Sequence, residues 1–169
     1  PIFPGQNCEY DTTAKFERAG AEVHQVVFNN LTVENIKTSI DTLADEIAKA
    51  QILMIVGGFS SGDEPDGSGK FIANVLRNPK ISKAIDTMRA NDGLILGICN
   101  GFQALIKSGL LPYGDIAGLN EENPTLFRNN INRHVSHIAR TRVTSNASPW
   151  FMSMTPGEMH SVAMSHGEG

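Results

Sequence analysis

The segment from Gly97 to Gly101 restricts the fold of this chain more than any other feature. It reads Gly-Ile-Cys-Asn-Gly, follows the apolar run 94–96 and precedes a helical pattern that begins at Phe102. Glycines on both sides of one nucleophilic residue allow a sharp turn from a strand into a helix, with the side chain above the end of a sheet. The dipole and free N–H groups of the new helix favour a thiolate there. We therefore predict Cys99 as a nucleophile, although a cysteine in so short a pattern can also be a small buried residue.

Strand and helix patterns alternate through the first two thirds of the chain. The continuous apolar runs in 51–56 and 93–98 are typical of parallel strands covered on both faces, and the Val-rich segment 22–28 also reads as a strand. Helical patterns cover residues 10–19, 33–50, 71–91 with a break near Pro79, and 101–108. This order predicts an α/β fold, a flavodoxin-like open and mostly parallel sheet with helices on both faces.

The last third of the chain has a different pattern. Residues 126–144 lack a helical period, and their few apolar residues stand among polar ones. A solvated antiparallel strand pair fits this pattern better than a buried core. Residues 159–164 read as a further strand. We expect an antiparallel extension of the α/β fold in this region.

Composition limits the class of protein and its partners. A length of 169 residues fits one domain, residues 1–169. The net charge of -4 and the lack of a Lys/Arg block argue against nucleic acid or a membrane surface as the main partner, and no apolar run is long enough to span a membrane. Cys8 and Cys99 stand far apart, so we expect reduced thiols in a cytoplasmic protein, with one disulfide left open as the alternative.

One of the five histidines stands in a pattern suited to catalysis. His134 and His137 stand three residues apart, so in a strand they would face opposite sides and could not share a metal ion. Because the sequence also has no H-E-x-x-H motif and no Cys cluster, we predict no metal site. Glu168 follows His166 by two residues, so in an extended chain the two side chains share a face and the carboxylate can orient the imidazole. Cys99, His166 and Glu168 are therefore predicted as nucleophile, general base and orienting carboxylate.

An acyl-transfer site also needs donors for the oxyanion that forms on the carbonyl oxygen. The N–H group of Asn100, directly after the nucleophile, is one candidate. The glycine-rich stretch 57–69, which follows the neighbouring predicted strand, offers the N–H group of Gly58 as the other. This stretch has neither P-loop nor dinucleotide-binding spacing. We predict Gly58 and Asn100 as the oxyanion hole.

Four sequence motifs identify a family resemblance. Residues 57–63 read Gly-Gly-Phe-Ser-Ser-Gly-Asp, 97–103 read Gly-Ile-Cys-Asn-Gly-Phe-Gln, 165–169 read Ser-His-Gly-Glu-Gly, and 3–11 read Phe-Pro-Gly-Gln-Asn-Cys-Glu-Tyr-Asp. With these motifs the chain resembles, from end to end, the class I (triad) glutamine amidotransferase domain of phosphoribosylformylglycinamidine synthase. Other triad amidotransferases usually carry Gly-Gly-Pro-Gly in place of residues 57–60 and His-Pro-Glu in place of residues 166–168. The chain departs from the family at one point, because it has Arg133-His134 where family members typically have Arg-Phe.

The resemblance implies an activity and a partner. The domain would hydrolyse L-glutamine to glutamate and ammonia through a γ-glutamyl thioester on Cys99, without a cofactor of its own, and Gln103 matches the position that helps to hold the substrate. Ammonia would pass to a synthetase domain of the same parent chain, which uses ATP and Mg²⁺ to form formylglycinamidine ribonucleotide in purine biosynthesis. Residues 1–4 read as the end of a strand, and the family's domain continues beyond the last motif. We therefore expect a fragment of a larger multidomain synthase, truncated at both ends.

Two other functions remain open from the sequence. One is another α/β cysteine hydrolase, because α/β-hydrolases present their nucleophile on the same kind of strand-to-helix turn. Their triad follows the chain order nucleophile, acid, histidine, whereas here the acid follows the histidine. The other is a non-catalytic flavodoxin-like module for binding or assembly, since a fold by itself does not imply a function.

Overall fold

The structure of the protein is a computed structural model, which describes residues 1–63, 68–116 and 120–168. It forms two compact units, Pro1–Leu126 and Phe127–Gly169, which are described separately below. Residues 64–67 of the predicted glycine-rich stretch, and the last residue of the Ser-His-Gly-Glu-Gly motif, lie outside the described part. No helix of the described residues is long and apolar enough to cross a membrane.

The helices and strands of the first unit follow the predicted order, except for the segment 22–28. Its elements are α1 (Glu9–Arg18), α2 (Val33–Lys49), β1 (Ile52–Ile55), α3 (Lys70–Leu76), α4 (Pro79–Ala90), β2 (Leu94–Gly97), α5 (Asn100–Ser108) and α6 (Leu110–Tyr113), the last interrupted at Leu111. Local signals explain several boundaries. The Thr32 hydroxyl accepts a hydrogen bond from Asn35 N and begins α2, and the Asn78 side chain accepts one from Lys80 N and begins α4. The break near Pro79 is therefore confirmed.

Strands β1 and β2 form a parallel pair, as predicted. Ile52 pairs with Leu94, and the register continues to Ile55 opposite Gly97. Leu53 and Ile55 are buried, which accounts for the continuous apolar run. Because parallel strands end at the same edge of a sheet, the glycine-rich stretch after β1 and the turn after β2 begin side by side.

Helices pack on this pair through regularly spaced apolar residues. Leu43 and Ile47 of α2 are buried, α2 packs against α4, and α3 packs against α5. Three phenylalanines form one aromatic cluster with ring centroids 5.6 to 6.3 Å apart: Phe3, Phe28 and Phe71. The α/β class is thereby confirmed.

The segment 22–28 differs from its prediction as a strand. Within the described part of the chain it pairs through a single parallel bridge between Val27 and Ile2, with hydrogen bonds of 2.8 Å from Ile2 N to Val26 O and from Phe28 N to Ile2 O. Side chains hold the rest of the segment instead: Gln25 Nε2 donates to Thr13 Oγ1 at 2.7 Å. The Val-rich composition indicated an extended backbone but could not supply the neighbouring strand that a ladder requires.

The second unit contains an antiparallel strand pair. Strand β3 (Val135–Arg142) pairs with β4 (Met159–His166) along its whole length, and the single-turn 3₁₀ helix Pro149–Phe151 lies between them in sequence. Most of the side chains of both strands are exposed. The predicted antiparallel extension in the last third is confirmed, but residues 126–144 contain one strand of the pair and not both, and β4 is its partner. Strand β4 extends two residues beyond the prediction, so that His166 becomes its last residue.

Candidate active site

Cys99 lies at the apex of a sharp turn between β2 and α5. Its backbone adopts φ 54° and ψ -114°, a region that residues with side chains rarely occupy. Hydrogen bonds from Gly101 N to Ile98 O at 2.9 Å and from Gln103 N to Cys99 O at 3.0 Å close the turn. The Cys99 side chain is exposed at the start of a nine-residue helix. This is the strained strand-to-helix geometry that presents a nucleophile to a substrate.

Glycines on both sides of Cys99 allow α5 to begin against the sheet. A β-carbon at Gly101 would lie 2.1 Å from the carbonyl oxygen of Ile55, and one at Gly97 would lie 2.7 Å from the carbonyl oxygen of Gly101. No other residue fits either position without moving the helix away from the strands. The two glycines therefore set the height of Cys99 above the sheet.

The loop after β1 is fixed by the turn near the start of the chain. Gly58 forms an antiparallel bridge with Gln6, and a β-carbon at this glycine would lie 2.6 Å from Asn7 Oδ1. Gln6 Nε2 donates to Val56 O at 2.6 Å, and Ser61 N donates to Pro4 O at 2.9 Å. These contacts hold the backbone of Gly58, the first predicted oxyanion donor.

Gly57 brings the two cysteines of the chain into one neighbourhood. A β-carbon placed on it would lie 3.2 Å from Cys99 Cβ and 3.7 Å from Cys8 Sγ. Both thiols are free, and Cys8 is the less exposed of the two. The glycine-rich loop and the nucleophile turn are therefore in direct contact.

Asn100 and Gln103 occupy the first turn of α5. Asn100, the second predicted oxyanion donor, is 1 % exposed, and Gln103 is partly buried. The Asn100 side chain donates from Nδ2 to Asp63 Oδ2 at 2.8 Å. Asp63 is itself buried, and it was not among the predicted site residues. Its position as the only acid of the motif 57–63 was the signal that could have found it.

The second unit holds the other two predicted catalytic residues. His166 ends β4 opposite Val135, and Glu168 forms an antiparallel bridge with Arg128. The Nδ1 atom of His166 is buried and has no hydrogen-bond partner among the described residues. An imidazole nitrogen in this state needs a partner from the substrate or from a neighbouring group.

Asn129 holds the backbone of the segment that carries His166. Its main-chain N–H donates to Gly167 O at 2.8 Å, and its side-chain Nδ2 donates to His166 O and to Arg133 O, both at 3.1 Å. Asn129 was not among the predicted site residues. A lone asparagine in an irregular segment gives no signal of its own in the sequence.

The predicted site residues divide between the two units. Gly58, Asn100 and Gln103 lie in the first unit with Cys99, whereas His166 and Glu168 lie in the second. Within the described residues, no group of three or more His, Cys, Asp and Glu side chains is arranged to hold a metal ion. An open cavity of about 640 Å³ near α1 and β1 is lined by none of these site residues.

Comparisons with known proteins identify the family of this chain. The family model of the CobB/CobQ-like glutamine amidotransferase domain matches residues 1–169. Phosphoribosylformylglycinamidine synthase subunit PurQ of Dehalococcoides mccartyi is 40% identical over 109 residues, which cover 64% of this chain and 38% of that protein. The subunit PurQ of Campylobacter jejuni is 32% identical, over 99% of this chain and 61% of its own length.

A solved structure shares the fold. The structure of PurLQS from Thermotoga maritima matches 99% of this chain and 65% of that chain, with a TM-score of 0.70 and 26% identity. The chain spans less than two thirds of the length of each of these relatives. Since the family model covers every residue, the chain belongs to the CobB/CobQ-like glutamine amidotransferase domain family.

Proposed function

We propose that this chain is the glutaminase part of phosphoribosylformylglycinamidine synthase, which hydrolyses L-glutamine to glutamate and ammonia through a γ-glutamyl thioester on Cys99. The observation that carries the proposal is the strained turn at Cys99, with φ 54°, at the start of α5 in a chain of the glutamine amidotransferase family. The relatives named as subunit PurQ support the choice of synthase.

The first half of the reaction forms the thioester. His166 accepts the thiol proton of Cys99, and the sulfur attacks the γ-carbonyl carbon of glutamine. The carbonyl oxygen becomes an oxyanion, to which the N–H groups of Gly58 and Asn100 donate. The tetrahedral intermediate then collapses, its carbon–nitrogen bond breaks, and ammonia leaves with the proton that His166 returns.

The second half of the reaction releases glutamate. His166 takes a proton from water, whose oxygen attacks the thioester carbon. The same two N–H groups stabilise the second oxyanion. The carbon–sulfur bond breaks, the sulfur regains its proton, and glutamate departs.

Glu168 and Gln103 support these steps. A carboxylate that accepts a hydrogen bond from His166 Nδ1, the buried nitrogen without a partner among the described residues, fixes the tautomer in which Nε2 exchanges the proton. We assign this role to Glu168, whose carboxylate is not bonded to this nitrogen in the structure and would have to reach it during the reaction. Gln103, one turn after Cys99, is assigned to hold the substrate.

The ammonia requires an acceptor. PurLQS of Thermotoga maritima is named as an assembly that includes a Q component, and the other relatives are named as subunits. We infer that this chain delivers ammonia to a synthetase that uses ATP and Mg²⁺. The subunit names favour a separate synthetase chain over the single parent chain expected from the sequence. A reactive thiol that must stay reduced suits the cytoplasm.

The test compares two nitrogen sources in the natural full-length protein with its synthetase. Cys99→Ala should lower glutamine-dependent amidine formation by about 10³-fold or more, because the thioester cannot form. Formation from added ammonium should stay within about twofold of wild type, since that route needs no sulfur. Cys8→Ser is the matched control and should retain both activities. Loss of both activities in Cys99→Ala, or retention of the glutamine-dependent one, would contradict the proposal.

A further inference from the structure

The carboxylate of Asp63 is buried between the loop after β1 and the start of α5. Its Oδ2 atom accepts hydrogen bonds from Ser60 N at 2.7 Å and Asn100 Nδ2 at 2.8 Å. Its Oδ1 atom accepts from Ser60 Oγ at 2.6 Å and Gly69 N at 2.9 Å. Asp63 is only 6 % exposed, and a carboxylate is tolerated at such a depth when its oxygens are satisfied in this way.

We propose that Asp63 is a positioning residue that holds the N–H groups of Gly58 and Asn100 in the relative placement that binds the oxyanion. This inference rests on the proposed glutaminase activity. Asn100 begins α5, so its N–H group has no acceptor within its own helix, and its side chain is held by Asp63. Ser60, which donates twice to Asp63, follows Gly58 by two residues.

The link matters because the two donors come from different elements. Gly58 is tied to Gln6 by a bridge, whereas Asn100 belongs to α5. Oxyanion donors lower a barrier only when they are already in place, to within about 0.5 Å, before the charge develops. Asp63 connects the loop to the helix through hydrogen bonds to Ser60 and Asn100.

Replacement of Asp63 by asparagine changes this link with little change in size. A carboxylate accepts at both oxygens, whereas the amide presents an NH₂ group to donors that already point at it. Depending on how the amide is oriented, either Ser60 N and Asn100 Nδ2 or Gly69 N then loses its acceptor, whereas the Ser60 hydroxyl can turn and accept from the NH₂ group. The loop and the helix would move apart by a fraction of an ångström, which is enough to weaken an oxyanion hole.

The experiment uses the full-length protein with its synthetase and three readouts. In Asp63→Asn, kcat for glutamine hydrolysis should fall about 10- to 100-fold, while KM for glutamine changes less than about threefold. Affinity for glutamate γ-semialdehyde should fall by a similar factor. The Cys99 thiol adds to this aldehyde, forming a carbon–sulfur bond while the thiol proton passes to the oxygen that occupies the same hole. Alkylation of Cys99 by iodoacetamide should change less than about threefold, because displacement of iodide forms no oxyanion.

Two further variants complete the test. Ser60→Ala removes one donor but keeps the charge, and it should lower kcat about two- to fivefold. Asp92→Asn is the control, because it removes a carboxylate from an exposed position whose φ of 59° asparagine tolerates. It should leave kcat, the affinity for the aldehyde and the alkylation of Cys99 unchanged.

The outcomes separate the inference from the proposed function. Wild-type kcat in a folded Asp63→Asn protein, or a fall in iodoacetamide alkylation equal to the fall in kcat, would overturn the inference. If Asp63→Asn does not fold, the Ser60→Ala variant decides. An unchanged kcat in Ser60→Ala would overturn the inference, whereas a reduced kcat with unchanged alkylation of Cys99 would support it. A wild-type protein that neither hydrolyses glutamine nor binds the aldehyde contradicts the proposed function itself, and the inference with it.

Discussion

Gly101 passes so close to Ile55 that a β-carbon at position 101 would lie 2.1 Å from the Ile55 carbonyl oxygen. That oxygen also accepts a hydrogen bond from Ile98 N at 3.2 Å, one residue before the nucleophile. The contact joins the end of β1, the turn at Cys99 and the first turn of α5. A side chain at position 101 must therefore displace the turn itself.

Gly101→Ala should destabilise the protein by about 1–3 kcal/mol, because the added carbon is overpacked against the backbone. The direction is informative, since alanine in a helix interior is normally about 1 kcal/mol more favourable than glycine. Urea unfolding measures the loss, and iodoacetamide alkylation of Cys99 reports the displaced turn. Gly20→Ala is the control, because its φ of 89° costs stability while its β-carbon meets nothing within 4 Å. Equal alkylation rates in both variants would show that Gly101 does not position Cys99.

A glutamine-like chloroketone should label Cys99 and spare Cys8. Cys99 is exposed and Cys8 less so, although both lie beside Gly57. Because the two thiols share one neighbourhood, selective labelling would depend on recognition of the glutamine moiety at the nucleophile. Mass spectrometry of peptides identifies the modified residue, and excess glutamine should slow its modification. Equal labelling of the two cysteines in the full-length protein would instead support a non-catalytic module.

Asn129→Ala should lower the glutaminase kcat of the full-length protein about tenfold and destabilise it by about 1–2 kcal/mol. The variant leaves the carbonyl groups of His166 and Arg133 without their donor, which loosens the end of β4. Steady-state kinetics and thermal unfolding check the two effects. Asn146→Ala is the matched control, since Asn146 donates to Met154 O at 3.3 Å in the same unit. A kcat for Asn129→Ala that equals that of the control would remove Asn129 from the site.

Stability should depend on pH through His24. Its hydrogen bonds to Glu22 at 3.1 Å and Glu46 at 2.8 Å raise the pKa of His24 above its usual 6.5, and the bond from His24 lowers the pKa of Glu46 below its usual 4.5. The contribution of His24 to the free energy of unfolding is complete below the pKa that the histidine has in the unfolded chain. It is lost as pH rises through the higher pKa of His24 in the folded protein. The Glu46 contribution is present above the unfolded pKa of that carboxyl and is lost as pH falls through the folded value.

His24→Gln should therefore reduce stability most between pH 4.5 and 6.5 and least in alkaline solution. Urea midpoints measured across this range show the change, and NMR titration of the imidazole gives the pKa of His24 directly. His137→Gln, which changes an exposed histidine of β3, serves as the control. A loss of stability in His24→Gln that is the same at every pH would show that the interaction of His24 with Glu22 and Glu46 does not stabilise the fold through the charge of the imidazole.

Sequence patterns predicted those parts of the fold that depend on neighbours along the chain. The start of α2, the break near Pro79 and the apolar runs of β1 and β2 were all predicted correctly, because each signal lies within a few residues of the element that it defines. The segment 22–28 was assigned as a strand, but its bridge to Ile2 is a single residue long. Strand pairing depends on a distant partner, which composition does not reveal.

The candidate site shows the same division. The sequence alone determined the strand-to-helix turn at Cys99, because glycines at 97 and 101 and an apolar run are local requirements of that geometry. It also identified the family, through motifs that read continuously along the chain. The roles of His166 and Glu168 stay predictions.

Only the tertiary structure selected Asp63 as the buried carboxylate. In the sequence, Asp63 is the only acid of the motif 57–63, but nothing local shows whether its carboxylate is buried or what it binds. That information comes from Asn100, 37 residues away, whose amide donates to Asp63 in a buried position. Burial and donors brought from distant segments decide which carboxylate is held, and both exist only after the chain has folded.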